Sequence, residues 1–306
     1  MYAYLVQHCQ IMRKISLFLL LLFKISTLHS QPFTFKSVGL AKAFQLTIYF
    51  GTNGKGAFVQ YDGKTGILPL RLKNFSVALC QSLKIDKVKY RSSQTDHATG
   101  QPKCTTYVWD EIVNGVVNGS YGLTTGPQQV TDIWYLRKKD GKRFKLELVN
   151  KTEKYDGNDK YLLHGNLLSF NHFGNDMLTI SYRDGTKKMV GLPEIDNPDH
   201  ARQSVIEDYN FDGYHDIAFT VPDAGMGVYR IFSIWLFNPK SKHFEALPEP
   251  NYSKSNCSML SDVTVDSKKK LLYSSCRGGA KWWSDAYRFS PTGKLVWVSA
   301  KNLDKD

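Results

Sequence analysis

Apolar and polar positions alternate along this chain in short runs separated by glycine-based turns. Phe44–Phe50 (FQLTIYF), Asp132–Leu136 (DIWYL), Met177–Tyr182 (MLTISY), Tyr229–Phe237 (YRIFSIWLF) and Lys294–Val298 (KLVWV) are rich in aromatic and β-branched residues. Between them stand Asn53-Gly54, Asp62-Gly63, Asp140-Gly141, Asp184-Gly185, Asp212-Gly213 and Ser290-Pro291-Thr292-Gly293. A period of two bounded by Asx-Gly turns predicts antiparallel hairpins, because Asn, Asp and Gly accept the positive φ that tight hairpin turns require. No segment holds a helical period for long. Gln203–Glu207 and the stretch Asp110–Val117 read as short helical turns at most. The expected class is mainly β: antiparallel hairpins in a sandwich-like, barrel or propeller-like array.

The N-terminus changes the picture of where the protein works. Met12-Arg13-Lys14 is a short basic segment, Ile15–Phe23 (ISLFLLLLF) is apolar, and Ser30 offers a small residue before Gln31. This is the layout of a secretory signal peptide, with Met12 as a second candidate start. The apolar run is far shorter than the ~20 residues of a membrane span. Residues 1–30 are therefore expected to be removed, leaving a periplasmic or secreted protein without a membrane span. Cys80, Cys104, Cys257 and Cys276 then remain, an even number in an exported chain. Adjacent pairing, Cys80–Cys104 and Cys257–Cys276, is the simplest of the connectivities four cysteines allow.

Charge divides the chain. Residues 31–150 hold 17 basic and 8 acidic side chains, whereas residues 151–306 hold 20 of each. The polar, turn-rich stretch 151–160 falls at the change, so two β-rich domains are expected, a basic one over 31–150 and a neutral one over 151–306. For an exported protein, a basic half points to anionic glycans or an acidic protein rather than to nucleic acid.

The most specific chemistry lies in Asp208–Asp216, DYNFDGYHD. Calcium takes six or more oxygens, and an EF-hand-type loop supplies them at positions 1, 3, 5, 7 and 9 with glycine at 6. These positions are Asp208, Asn210, Asp212, the Tyr214 carbonyl and Asp216, with Gly213 at the bend. The twelfth position is Phe219 and not glutamate, so the loop resembles the shorter Asp-x-Asp-x-Asp-Gly-x-x-Asp loops between strands of integrin-type repeats. Glu207, Asp223 or water would complete the shell. The competing reading is a metal-free acidic hairpin turn. Calcium here is expected to be structural, neutralising carboxylates crowded into one turn and bracing the strand that follows and the loop 222–228. Met226 in that loop is a candidate recognition residue.

Ile206–Ile217, Tyr229–Lys240 with Phe244, and Arg277–Phe289 (RGGAKWWSDAYRF) followed by Thr292-Gly293-Lys294-Leu295 together resemble a bacterial family. They are similar to the calcium-binding, periplasmic lysozyme-inhibitor-like immunity proteins that protect cells from wall hydrolases delivered by contact-dependent secretion systems. The resemblance covers roughly residues 160–300 and does not reach 31–150. It implies a propeller-like domain that blocks a peptidoglycan hydrolase, with Ca2+ as its ion and no chemistry of its own. A lysozyme-type cleft carries two carboxyl groups. An inhibitor would set donors between them, and Tyr229, Arg230 and Lys281 are the candidates, with Trp282 beside them. The alternative is a periplasmic or surface module that binds glycan through an aromatic face.

Catalytic motifs are weak. None of the histidines forms a close metal pair, and His164 and His172 read as surface positions. Gly119-Ser120-Tyr121-Gly122 has Asn118 where a nucleophile elbow needs glycine. Gly51–Gly56 (GTNGKG) lacks phosphate-loop spacing and reads as a hairpin turn. Trp282, Trp283 and Tyr287 read as a strand with one buried face. The chain is taken as a non-enzyme.

Overall fold

The computed structural model describes residues 32–80, 103–126, 130–149, 155–195, 201–225 and 227–305. The expected signal peptide and Met226 lie outside them. Apart from two short 3-10 turns, every regular element among the described residues is a β-strand. None of their helices is long and apolar enough to cross a membrane.

The first eight strands close into a barrel. They are β1 (Phe33–Ser37), β2 (Gln45–Tyr49), β3 (Phe58–Tyr61), β4 (Ile67–Leu79), β5 (Lys103–Val113), β6 (Val116–Thr125), β7 (Val130–Arg137) and β8 (Arg143–Leu148). Each pairs antiparallel with the next, and β1 returns to β8 through Phe35↔Leu148, Lys36↔Glu147 and Ser37↔Leu146. Alternate residues point inward, so Phe35, Leu46, Ile48, Val59, Trp109, Leu123 and Leu146 fill the interior. β4 runs on past its pairing with β3, held by β5 alone, and exposes Phe75, Val77 and Leu79.

The second half is three four-stranded antiparallel sheets. The first is β9 (Asn158–Leu163), β10 (Asn166–Asn171), β11 (Met177–Ser181) and β12 (Lys187–Gly191). The second is β13 (Gln203–Glu207), β14 (Asp216–Pro222), β15 (Arg230–Asn238) and β16 (His243–Ala246). The third is β17 (Thr264–Asp266), β18 (Leu271–Gly278), β19 (Lys281–Phe289) and β20 (Leu295–Asn302). They stack face to face, as adjacent propeller blades do. Ile217 and Phe219 of β14 pack with Leu168, Phe170 and Ile180 of the first sheet, while Ala218 between them packs with Leu272 and Tyr287 of the third. A strand covered on both sides reads as continuous burial and not as alternation, and residues 216–221 are all buried.

Two expectations are corrected. Gln203–Glu207 is strand β13, with Ser204 and Ile206 turned into the core. Asp110–Val117 is the β5–β6 hairpin, turning at Asn114 (φ 51°) and Gly115 (φ 79°). The Gly51–Gly56 segment is a tight turn, as its composition predicts. Asn53 and Gly54 take φ of 51° and 83°, and Thr52 and Lys55 exchange two backbone hydrogen bonds of 2.9 Å.

That turn also joins the two halves. The Gly56 carbonyl accepts the Leu162 amide at 2.9 Å, Thr52 Oγ1 meets Ser204 Oγ at 2.6 Å, and Lys55 Nζ donates to the Ile206 carbonyl at 3.0 Å. Gly56 takes φ 74°, a backbone conformation that favours glycine, and a Cβ there would also lie 3.2 Å from Ile206 Cδ1. Both disulfides take the adjacent pairing. Cys80–Cys104 crosses the outer end of the β4–β5 ribbon, and Cys257–Cys276 ties the segment before β17 to β18.

Candidate functional site

The acidic bend, residues 208–215, closes the β13–β14 hairpin, whose last pair is Glu207↔Asp216. Its side chains shape it by capping its own amides. Asp208 accepts the amides of Asp212 (3.1 Å) and Gly213 (2.9 Å). Asn210 Oδ1 accepts the Asp212 amide at 3.1 Å, and its Nδ2 donates to Asp212 Oδ2 at 3.0 Å. Asp212 Oδ1 accepts the Tyr214 amide at 2.9 Å. Phe211 (φ 63°) and Gly213 (φ 88°) make the left-handed turns. Asp208, Asn210 and Asp212 therefore sit on one bend, half-buried to exposed.

Asp216 lies behind the bend. It is fully buried, and its oxygens accept the amides of Tyr209 (2.9 Å) and Phe237 (2.8 Å), fastening the bend to β15. Burial first, then the nearby carboxylates of Asp212 and Asp208, push its pKa up to about 7 against the pull of the two amides. Tyr214 is exposed; its ring lies 5.7 Å from both His164 and Phe237. His164 stacks on Phe237 at 3.9 Å and reaches the His215 carbonyl through Nε2 at 2.7 Å, and burial lowers its pKa.

For calcium, the donors fit in kind, being all oxygen. Each Asp216 oxygen accepts one amide and keeps a further acceptor position. Among the described residues no three His, Cys, Asp or Glu side chains converge to hold an ion by themselves. A shell here would therefore draw on Asn210 Oδ1, the Tyr214 carbonyl and water besides the carboxylates. The two further acids named from sequence have other engagements. Glu207 pairs with Lys55 at 3.0 Å, and Asp223 accepts the amides of Gly225 and Tyr229 at 3.2 Å each.

The candidate contact residues lie elsewhere. The bend precedes β14 and the loop 222–229 follows it, so the two stand at opposite ends of one strand, about 20 Å apart at ~3.3 Å per residue. Tyr229 is half-buried. Arg230 braces the sheet from within: its guanidinium donates to Thr220 Oγ1 (2.7 Å), the Thr220 carbonyl (2.7 Å) and the Ala201 carbonyl (2.9 Å), and burial lowers its pKa to about 10. Lys281 is exposed at the β18–β19 turn, and half-buried Trp282 donates its amide to Asp304 at 2.8 Å. Trp282 and Trp283 are both half-buried, and Asp285, Ala286 and Tyr287 are buried in succession, so β19 is covered on both sides there and not on the single face expected from the sequence.

Three buried polar clusters are not visible in the sequence. Glu111, inside the barrel, accepts the phenols of Tyr61 (2.8 Å), Tyr121 (2.9 Å) and Tyr135 (3.1 Å) and the Asn118 amide (2.5 Å). Burial raises the pKa of all three phenols. His172 is not a surface residue: it is buried, with Nδ1 2.9 Å from the Arg202 carbonyl and Nε2 3.2 Å from Asp159. Asp285, also buried, accepts the amides of Asn256 (3.0 Å) and Cys257 (2.9 Å), the Ser255 hydroxyl (2.7 Å) and the Trp297 indole (3.0 Å). The only signal for these residues is a charged or polar group at a core-facing position of a strand. No protein family, curated protein or solved structure matches the chain.

Proposed function

We propose that this chain is an exported immunity protein that binds and blocks a peptidoglycan hydrolase, with calcium stiffening the acidic bend. The observation that carries the reading is that bend: Asp208, Asn210 and Asp212 on one turn, set above buried Asp216 in a sheet covered on both faces. Its sequence pattern is also the core of the resemblance to periplasmic lysozyme-inhibitor-like proteins. Calcium would be held by Asp208, Asn210, Asp212, the Tyr214 carbonyl and Asp216. It would supply positive charge where like charges otherwise repel. The stacked sheets and the Cys257–Cys276 disulfide favour inhibition, because a rigid surface loses little conformational entropy on binding. Lys281, next to Trp282 in the sequence, and Tyr229 are the donors offered to the target, and Met226 is a further contact candidate. Contact through the neutral second half avoids the like-charge barrier that a basic hydrolase would meet at the barrel.

Two measurements test this. Lysis of a cell-wall suspension by a panel of muramidases and amidases, with and without the purified protein, should reveal at least one enzyme slowed stoichiometrically. No inhibition, together with retention on peptidoglycan or anionic glycan, moves the assignment to a glycan-binding module. Thermal melting in calcium against chelator should show a higher midpoint in calcium. Equal midpoints and no calcium by elemental analysis remove the ion from the reading while leaving the inhibition assay to stand.

A further inference from the structure

The barrel wall is not closed along its whole height. β7 and β8 pair only at Trp134↔Lys145, Tyr135↔Phe144 and Leu136↔Arg143, although β7 begins at Val130 and β8 continues to Leu148. Residues 130–133 and 146–148 thus face each other without a shared ladder, across a cleft of about 600 Å³. A bulge opens it. Between the pairs Gly122↔Trp134 and Thr124↔Thr131, β7 carries one more residue than β6, and Asp132 takes φ 52°. An extra residue bends the bulged strand and raises its local twist.

Among the described residues, no third strand pairs with the edges of this cleft. Along a strand, successive residues direct their amide groups to opposite sides. On β8, the Lys145 carbonyl accepts the Val38 amide (3.1 Å) and the Val149 amide donates to Thr34 (2.8 Å), so the odd-numbered residues serve β1. Leu146 and Leu148 therefore direct N–H and C=O into the cleft. On β7, the Arg137 amide reaches Lys142 (3.0 Å) and the Lys138 amide reaches Asn118 (2.9 Å), which aims Ile133 at the cleft as well. The side chains sort by face: Ile133 and Leu146 are buried on the inner side, and Asp132, Arg143, Lys145 and Glu147 stand exposed on the lips.

We infer that the β7–β8 cleft is a strand-addition site for an extended peptide of a partner protein with alternating apolar and charged residues. The inserted segment takes the backbone bonds of Ile133, Leu146 and Leu148. It sets its apolar side chains on the inner residues and its charged ones between lips that carry both signs. Such pairing draws affinity from main-chain hydrogen bonds and specificity from alternate side chains. The volume falls within the ~300–1,000 Å³ of ligand sites. This site lies in the barrel and is independent of the acidic bend.

The probe is a capped octapeptide alternating valine with lysine and glutamate, added to the full mature chain while amide hydrogen exchange is followed by residue. Binding should slow exchange at Ile133, Leu146 and Leu148. A strand inserted between two others uses both of its edges, so N-methylation of alternate peptide nitrogens should weaken binding by about tenfold or more. No binding at millimolar peptide overturns the inference. So does binding without protection at those three amides, including protection confined to the Phe75–Leu79 ribbon, or equal affinity for the N-methylated peptide.

Discussion

Asp216 is pulled between two demands, fastening the bend through the Tyr209 and Phe237 amides while sitting buried near two like charges. Its pKa of about 7 lies above the unfolded carboxyl value near 4, so folding favours its neutral form. A raised folded pKa means stability that is complete below about pH 4 and is lost as pH rises to about 7. In chelator, the melting midpoint should therefore fall between about pH 4 and about pH 7, and up to ~4 kcal/mol rides on the ionisation of this one carboxyl. Asp216→Asn should flatten the profile, and calcium should shrink the loss, because a bound cation favours the ionised carboxylate. Melting across a pH series with both proteins checks this. Glu111 is a buried carboxylate surrounded by donors. Glu111→Leu would strand three phenols and an amide and should cost about 3–5 kcal/mol in urea unfolding of the barrel. Glu111→Gln, which keeps one acceptor oxygen, should cost less. The acidic bend was legible because its oxygens lie within nine consecutive residues, Asp208–Asp216. The Glu111 cluster was not, because Tyr61 lies 50 residues away and reaches it only once the barrel has formed.

At the level of strands and turns, local chemistry was the better guide. Asn53-Gly54 predicts a tight hairpin and forms one. Asn114-Gly115 carries the same signal, and the apparent helical turn around it gives way to a hairpin because both residues take the positive φ that such a turn needs. Gln203–Glu207 resembles a helical turn because five residues define neither period well; the burial of Ser204 and Ile206 settles it as a strand. Close approach between strands is a further constraint that sequence does not display. A Cβ at Gly122 would lie 2.3 Å from the Trp134 ring, on which the Arg143 guanidinium stacks at 4.5 Å. Gly122→Ala should displace that ring and destabilise the barrel by about 1–3 kcal/mol. Denaturant unfolding followed by tryptophan fluorescence reads both the loss and the moved ring.

Over the whole molecule, the β class, the hairpins and the disulfide pairing followed from residue patterns, whereas closure of the first eight strands did not. Period-two alternation is the same in a barrel and in an open blade; what distinguishes them is β1 meeting β8 across more than a hundred residues, at Phe35↔Leu148. The joint between the halves was equally hidden, since Thr52 and Lys55 look like turn residues until Ser204 and Ile206 arrive beside them. The disulfides constrain each half separately. Removing one with Cys257→Ser and Cys276→Ser should lower stability by about 3 kcal/mol in the chain-entropy account, and the loss should appear in the transition of the second half when the two are resolved calorimetrically.

The doubly covered strand β14 has a further consequence for this chain. The middle sheet owns no outer skin: one side belongs to the first sheet and the other to the third. Proteolysis or a premature stop just after Leu247 would strip the cover from Ala218, Phe232 and Ile234. The remnant would be an adhesive fragment prone to clump, not a smaller working protein.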